Sequence, residues 1–322
     1  MKVGTCSVKG MAEITASGPR EGLAGRARPP LSLTGQVALG GAGFSLAEQV
    51  DDLAATATIR AAARAGARIF DCARAYAPVG DPTHNERLFA NALAGHDDVL
   101  IDTKGGHFRT GPRSWEVDNS PGRLARDVDD SLVALGVEQI GLYYLHRADG
   151  RARFLDPAAE LEPIAESVAA LDAIRRAGKI AAIGISNVTV AQLEEAVAVA
   201  PIAAVQNLHS AAGLESEDVL RRCEELGIAF FAYSPLRGAG LDPEAVQRFP
   251  KMSAAARARG ISLARLLLRA LLASSPVLSV VSGARRVPTA IDSCSAAEQP
   301  WDDELAQAFS EDRHGSIGAK AN

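Results

Sequence analysis

The feature that most constrains the fold is an alternation of strand-like and helix-like segments along most of the chain. Eight short runs are rich in β-branched and aliphatic residues and are apolar at consecutive positions, as parallel strands buried on both faces are. These predicted strands cover residues 37–41, 67–72, 99–103, 140–145, 180–185, 203–206, 228–233 and 277–281. The pattern predicts a parallel sheet covered by helices.

The segments between these runs carry helix start and stop signals. Several open on Pro, Ser or Thr and are followed by Gly or Pro, residues that favour helix entry and helix termination respectively. The predicted helices cover residues 54–65, 121–135, 163–177, 189–199 and 215–226.

Eight strands that alternate with helices match a (β/α)8 barrel in number and in size. The alternative, a doubly wound open sheet, usually shows Gly-x-Gly-x-x-Gly after its first strand. Here the first strand runs into Gly40-Gly41-Ala42-Gly43-Phe44, which lacks the third glycine. We therefore predict an α/β fold, a single-domain (β/α)8 TIM barrel over residues 31–322, with its site at the C-terminal ends of the strands. Residues 1–30, rich in small and polar residues without a sustained period, are predicted to be a disordered tail.

Composition and charge exclude several classes of function. The net charge of −5, from 34 Lys and Arg against 39 Asp and Glu, does not provide the basic surface of a nucleic-acid-binding protein. No apolar run approaches the roughly 18–20 residues of a membrane span. The four cysteines are scattered without a Cys-x-x-Cys pair, which argues against a disulfide scaffold or a cysteine zinc site. We predict a cytoplasmic protein that binds a small molecule and needs no metal.

Polar side chains stand at the C-terminal ends of three successive predicted strands. Asp71 and Tyr76 follow the second strand, Lys104 ends the third, and His146 ends the fourth. Each alone has an ordinary explanation, such as a turn cap or a packed ring. Lys104 is harder to explain in this way, because a buried ammonium needs a partner carboxylate. Asp71, on the adjacent strand, is the natural partner.

Motifs around these positions resemble those of the aldo-keto reductases over roughly residues 32–310. The motifs are Phe70-Asp71-x-Ala73-x-x-Tyr76, Asn85-Glu86-x-Leu88, Thr103-Lys104, Leu142-Tyr143-Tyr144-Leu145-His146, Gly184-Ile185-Ser186-Asn187, Val205-Gln206-Asn207 and Tyr233-Ser234-Pro235-Leu236. The continuation Arg147-Ala148-Asp149 is more similar to the bacterial, channel-subunit-like and sugar- or pyridoxal-type branches than to aldose reductase.

The resemblance implies a catalytic tetrad of Asp71, Tyr76, Lys104 and His146. Hydride transfer to a carbonyl carbon builds negative charge on its oxygen, and a tyrosine with a pKa near 10 holds the proton that must be donated there. A nearby lysine favours the phenolate needed for the reverse reaction. A neutral histidine orients the carbonyl through a hydrogen bond.

The resemblance also implies a nicotinamide dinucleotide bound by the second half of the barrel. The implied cofactor-binding residues are Gly41, Ser186, Asn187, Gln206, Tyr233, Ser234, Pro235, Leu236, Ser282, Gly283, Ala284, Arg285, Arg286 and Asp292. The two arginines favour NADP(H), with NAD(H) as the second possibility. Family members usually carry Arg and then Glu-Asn on the following helix, where this chain has Thr289 and then Asp292-Ser293, so the adenine contacts are altered.

The substrate is the least constrained element of the interpretation. A long insert after Lys104 carries His107, Phe108 and Trp115, which are predicted to overhang the site or else to pack on the barrel rim. His209 is predicted either to line the substrate pocket or to be an ordinary loop histidine. A small aldehyde, a ketone, a sugar or lactol, and pyridoxal all remain open. The competing interpretation is a regulatory module on the same fold that binds the nucleotide with little turnover.

Overall fold

The structure is a computed structural model that describes residues 13–15, 30–46, 50–148, 163–213, 215–237 and 247–318. Eight parallel strands form a closed barrel, because the last strand pairs with the first. The barrel strands are β1 (Val37–Gly40), β2 (Ile69–Asp71), β3 (Leu100–Gly105), β4 (Ile140–Leu145), β5 (Ile180–Ser186), β6 (Ile202–Leu208), β7 (Ala229–Tyr233) and β8 (Leu278–Ser282). The predicted (β/α)8 barrel is therefore confirmed.

Helices connect and cover the strands. They are α1 (Ala42–Ser45), α2 (Asp52–Arg64), α3 (His84–Ala92), α4 (Pro121–Leu135), α5 (Ala165–Arg176), α6 (Val190–Val199), α7 (Glu217–Leu226), α8 (Pro250–Ala258), α9 (Leu263–Ser274), α10 (Val287–Cys294) and α11 (Asp303–Gly318). Within the described residues, no helix is long and apolar enough to cross a membrane.

Helix ends follow the local sequence. The Ser120 hydroxyl accepts a hydrogen bond from the backbone of α4, Pro121 occupies the first turn, and Gly136 ends the helix with φ 67°. Helix α6 begins with a capping box in which Thr189 and Gln192 bond each other's backbone. These pairs satisfy amide groups that a helix terminus leaves without partners, so the predicted starts and stops lie close to the observed ones.

The apolar runs are buried on both faces because the barrel has two cores. The outer core lies between strands and helices, and the inner core fills the barrel. The inner core consists of Leu33, Ala38, Ile69, Leu100, Leu142, Tyr144, Ala204, Ala229, Phe231 and Val281. Leu33 precedes β1 and is completely buried, so it closes the N-terminal end of the barrel and leaves the other end open for a site.

Two short antiparallel pairs lie outside the barrel. Glu13–Thr15 pairs with Pro30–Ser32. The other residues of the predicted disordered tail, residues 1–30, lie outside the described ones, so the tail stays a prediction. His107–Gly111 pairs with Ser114–Val117, which makes the insert after Lys104 a β-hairpin.

At the other end of the chain, Trp301 packs edge-on against Phe309 of α11 at 6.5 Å and anchors that helix.

Candidate active site

Four side chains from the C-terminal ends of β2, β3 and β4 meet at the mouth of the barrel. The ammonium of Lys104 donates to a carboxylate oxygen of Asp71 and, at 3.0 Å, to the backbone carbonyl of Cys72. The same ammonium lies 5.2 Å from the ring centroid of Tyr76. The rings of Tyr76 and His146 are 5.4 Å apart and perpendicular. The structure thus brings together all four residues of the tetrad predicted from the sequence.

The turn that carries Tyr76 is held in place by neighbouring polar side chains. A 3₁₀ turn over Arg74–Tyr76 follows β2. The Asn85 amide accepts from the backbone of Ala73 at 3.3 Å and donates to the carbonyl of Gly41 at 3.0 Å. Arg74 pairs with Asp127 at 3.1 Å. Because these contacts come from α3 and α4, the position of the phenol is set by packed helices and not by a free loop.

Glu86, the neighbour of Asn85, supports the next strand in the same way. Its carboxylate accepts from the Thr103 hydroxyl at 2.7 Å, directly beside Lys104. Burial raises the pKa of Glu86 to about 6. The Asn85-Glu86 part of the sequence motif is therefore a scaffold that fixes the turn of Tyr76 and the strand of Lys104.

The charges of the tetrad suit proton transfer. Burial raises the pKa of Tyr76, while the positive charge of Lys104 opposes that rise, so the phenol holds its proton at neutral pH. Burial alone would lower the pKa of Lys104, but Asp71 and its neighbours raise it overall. Burial also lowers the pKa of His146 well below its usual value. The site therefore contains a protonated phenol, an ammonium and a neutral imidazole.

An open groove runs from the tetrad along the second half of the barrel. It is lined by Gly40, Ala42, Gly43, Asp71, Tyr76, Tyr233, Ser234, Pro235, Leu236, Ala264, Val281, Ser282, Gly283, Ala284, Thr289 and Ser293. A second cavity continues it between α2 and the start of α10, where Arg285 and Arg286 lie beside Asp51 and Ala54.

The backbone along this groove leaves little room for extra atoms. A Cβ on Gly40 would lie 2.9 Å from Val281, and one on Gly43 would lie 2.7 Å from the side chain of Arg285. Ser234 adopts a left-handed conformation with φ 51°, which is uncommon for a non-glycine residue and concentrates at ligand-binding positions. An elongated groove that begins at the tetrad and ends beside two exposed arginines fits a dinucleotide with a phosphate at its far end.

The predicted carboxamide-binding residues surround the tetrad but also bond one another. Asn187, with φ 61°, donates to the carbonyl of His146 at 3.0 Å and to Ser186 at 3.0 Å. Its oxygen accepts from the hydroxyl of Tyr233 at 2.7 Å. Gln206 donates from its amide nitrogen to Asp71 at 2.6 Å. These amides thus lie beside the tetrad, and the groove lining given above does not include them.

Two predicted cofactor residues have structural positions instead. Gly41 does not line the groove: a Cβ there would meet Phe89 and Asn85 at 2.7 and 2.8 Å, so the glycine is needed for packing against α3. The Asp292 carboxylate accepts from Ser262, the residue that caps α9, so it faces a neighbouring helix. From α10, the groove is instead lined by Thr289 and Ser293.

The predicted substrate residues divide into two groups. The ring of His107 lies 4.8 Å from that of His146, and the indole nitrogen of Trp115 donates to the carbonyl of Ala75 at 3.2 Å. Both therefore border the tetrad. Phe108 stacks under the guanidinium of Arg123 at 3.8 Å and faces α4.

His209 does not line the substrate pocket. It is 1 % exposed and packs edge-on against Phe230, a residue of the outer core. Its side chain lies on the helix side of the barrel wall, which favours the second predicted alternative, an ordinary histidine.

Sequence reasoning missed one charged residue beside the tetrad. Asp102 is completely buried, and one of its carboxylate oxygens lies 3.9 Å from the ammonium of Lys104. The sequence could have indicated its position, because Asp102 precedes Lys104 by two residues on one strand, and residues two apart on a strand point to the same side.

Comparisons with known proteins agree with this geometry. A statistical model of the Aldo/keto reductase family matches residues 36–311. The chain is 32% identical over 251 residues to an uncharacterised oxidoreductase of Schizosaccharomyces pombe, covering 78% of this chain and 76% of that protein.

Solved structures of similar fold include a glycerol dehydrogenase from Gluconobacter oxydans, with a TM-score of 0.70 and 25% identity over 95% of this chain and 96% of that one. Another is an aldo-keto reductase from Klebsiella pneumoniae in complex with NADPH, with a TM-score of 0.70 and 21% identity over 89% of this chain and 93% of that one. The predicted family is confirmed, whereas the branch within it stays a prediction. The chain is an oxidoreductase and belongs to the aldo/keto reductase family.

Proposed function

We propose that this enzyme uses NADP(H) to transfer a hydride to or from the carbonyl carbon of a small aldehyde, ketone or sugar-like substrate. The observation that carries the proposal is the position of Tyr76, between Lys104 and His146 at the point where the open groove reaches the barrel mouth. The similarity to a Klebsiella reductase solved with NADPH supports the choice of cofactor.

Tyr76 acts as the general acid in reduction and as the general base in oxidation. Its hydroxyl gives a proton to the carbonyl oxygen, which gains negative charge as the carbon is reduced. The ammonium of Lys104 stabilises the phenolate that remains, and Asp71 keeps that ammonium charged and oriented. Neutral His146 donates a hydrogen bond to the same carbonyl oxygen.

The groove residues bind and orient the dinucleotide, which supplies the hydride when bound. The ring of Tyr233 is held by its bond to Asn187 and offers a face for the nicotinamide. Amide side chains such as that of Gln206 suit a carboxamide, since each has both donors and an acceptor. Arg285 and Arg286, exposed beside the far end of the groove, suit a 2′-phosphate.

The substrate side favours a small and polar carbonyl compound. Burial lowers the pKa of His107 to about 4, so a second neutral imidazole packs edge-on against His146, the neighbour of Tyr76. Two hydrogen-bonding rings suit a carbonyl oxygen and a neighbouring hydroxyl. Trp115, 40 % exposed, adds an apolar wall.

We also propose that the enzyme works in a reducing compartment such as the cytoplasm. Cys72, Cys223 and Cys294 are free and buried, and such buried thiols are normal where disulfides are rare.

The deciding experiment follows the absorbance of reduced nicotinamide with a panel of small aldehydes, ketones and sugars, using NADPH and NADH in parallel. We expect NADPH-dependent reduction by the wild type and a rate at least about 100-fold lower with Tyr76→Phe. Nucleotide binding without turnover on any member of the panel would support the regulatory module instead.

A further inference from the structure

Asp102 is a buried carboxyl that the reaction described above does not use. It lies on β3 two residues before Lys104, so both side chains point into the barrel. It is completely buried, and neither of its oxygens has a hydrogen-bond donor in the part of the chain that the structure describes. Its contact with the ammonium of Lys104 is long, at 3.9 Å.

A second carboxyl is a neighbour of Asp102. The pairing of β2 with β3 places Asp71 directly opposite Asp102, and the two carboxyls are within hydrogen-bonding reach of each other. Two ionised carboxylates have only acceptors, so this contact is favourable only if one of them carries a proton.

The surrounding charges indicate which carboxyl carries the proton. Asp71 already accepts from Lys104 and from Gln206, whereas Asp102 accepts from neither. Burial raises the pKa of Asp102 well above its usual value, and the charge of Asp71 raises it further.

The other titratable groups around Asp102 add no second positive charge. They are Cys72 just after β2, Tyr76 on the following turn and Tyr144 on β4. Burial raises the pKa of all three, so each is neutral near pH 7. One ammonium therefore faces two carboxyls, and only one of them needs to be ionised to balance it.

We propose that Asp102 keeps its proton and donates it in a hydrogen bond to Asp71. Asp102 is then a positioning residue that acts on the tetrad from outside it. The two carboxyls then carry one negative charge between them. Part of the charge of Asp71 is directed towards Asp102, so it offsets Lys104 less completely. More of the ammonium's potential then reaches Tyr76 and favours its phenolate, the form needed for oxidation.

The shared proton has a direct spectroscopic test that does not require turnover. The C=O stretch of a protonated carboxylic acid is separated in the infrared from the bands of ionised carboxylates. With isotope-labelled aspartate at about pH 8, where other aspartates are ionised, we expect one protonated aspartate band in the wild type and none in Asp102→Asn. Absence of the band from the wild type would overturn the proposal, whatever the enzyme's reaction proves to be.

The effect on Tyr76 rests on the proposed function and is tested by the pH profile of alcohol oxidation. Asp102→Val removes the donor, so the ascending limb of kcat/KM, which reports the deprotonation of Tyr76, should move up by about one pH unit. Asp102→Asn keeps an N–H donor towards Asp71 and should leave the limb within about 0.3 unit of the wild type.

A matched control separates this role from packing. Ile101→Val alters the same strand on its outer face and should lower thermal stability without moving the limb. If Asp102 had only a structural role, its substitution would lower stability and would change the rate by the same factor at every pH. An unmoved limb in Asp102→Val, or equal shifts in the Val and Asn variants, would overturn the positioning role. Should the Val variant fail to fold, a shifted limb in Asp102→Asn would overturn it by itself.

Discussion

The two sides of the barrel mouth are built differently. On the side of β2 to β4, the charged groups are buried and bond one another, as Lys104 does with Asp71. On the side of β7 to α10, Arg285 and Arg286 are exposed and form no ion pair within the described residues. Groups that act on a developing charge must be oriented before the reaction begins. Groups that bind a charged ligand can remain solvated until the ligand supplies their partner.

This contrast predicts two kinds of mutational effect. Changes on the buried side should alter the rate and its pH dependence while leaving cofactor affinity nearly unchanged. Changes on the exposed side should alter affinity and leave the pH dependence unchanged. Each prediction below tests one side against the other.

The largest effect is expected for Tyr76→Phe. The ring still packs against His146, but the proton donor is lost, and general acid catalysis contributes about 100- to 10,000-fold in rate. We expect kcat to fall by at least about 100-fold, with the Kd for NADPH within about three-fold of the wild type. Steady-state kinetics and fluorescence quenching measure the two quantities. A variant that keeps more than about a tenth of kcat, a barrier change below about 1.4 kcal/mol, would show that the phenol is not the proton donor.

The next effect concerns Lys104→Met in the oxidative direction. The ammonium opposes the rise that burial causes in the pKa of Tyr76, so its removal raises that pKa further. The ascending limb of the oxidation profile, which requires deprotonated Tyr76, should therefore move to higher pH, and kcat near neutral pH should fall by more than in His146→Gln. His146 is the matched comparison because it touches Tyr76 but is neutral. An unmoved ascending limb in Lys104→Met would show that the lysine does not act on the pKa of Tyr76.

The exposed side is tested by replacing both Arg285 and Arg286 with alanine. A 2′-phosphate carries nearly two negative charges, and each charged hydrogen bond contributes about 1.5–3 kcal/mol. The Kd for NADPH should rise by about 100-fold or more, while the Kd for NADH should change little. Fluorescence quenching at fixed salt measures both.

Arg64→Ala provides the charge-matched control for this pair. Arg64 is exposed at the opposite end of α2, about 15 Å along the helix from Ala54, so its loss should leave both constants unchanged. Equal weakening of NADPH and NADH in the double variant would assign the arginines to the pyrophosphate. A tighter wild-type Kd for NADH would overturn the preference for NADP(H).

The order of the strands and the proximity of the four tetrad side chains followed from the sequence, because both depend on short-range patterns. Strand ends were less accurate. The third predicted strand stopped at residue 103 and the sixth at 206, whereas the strands extend to Gly105 and Leu208. The apolar pattern ends where Lys104 and Asn207 begin, but their side chains are buried and bonded, so the backbone pairing continues through them.

Other features depend on contacts between distant segments and leave no local pattern. The hairpin at His107–Gly111 has polar, half-buried strands without clear alternation, so it was predicted only as a loop. The positions of Asp292 and His209 follow from partners on other elements, Ser262 and Phe230. Spacing along the chain does not reveal whether a residue that follows a strand will face the inside of the barrel or the surrounding helices.

The smallest effect is expected for His209→Gln, and it tests stability instead of the reaction. His209 lies behind the barrel wall, so kcat/KM should stay within about two-fold of the wild type. Burial lowers its pKa from the usual 6.5 to about 4. The folded protein therefore disfavours the protonated form that the unfolded chain accepts, and stability is lost as the pH falls from about 6.5 towards 4. At about pH 5.5 this histidine should account for about 1 kcal/mol of the loss relative to about pH 7.5. Urea unfolding gives the free energy of unfolding at each pH. The decrease between the two pH values should be smaller by that amount in the variant than in the wild type. An equal decrease in wild type and variant would mean that His209 is solvated when protonated. A large loss of kcat/KM would instead indicate that His209 contributes to the substrate pocket.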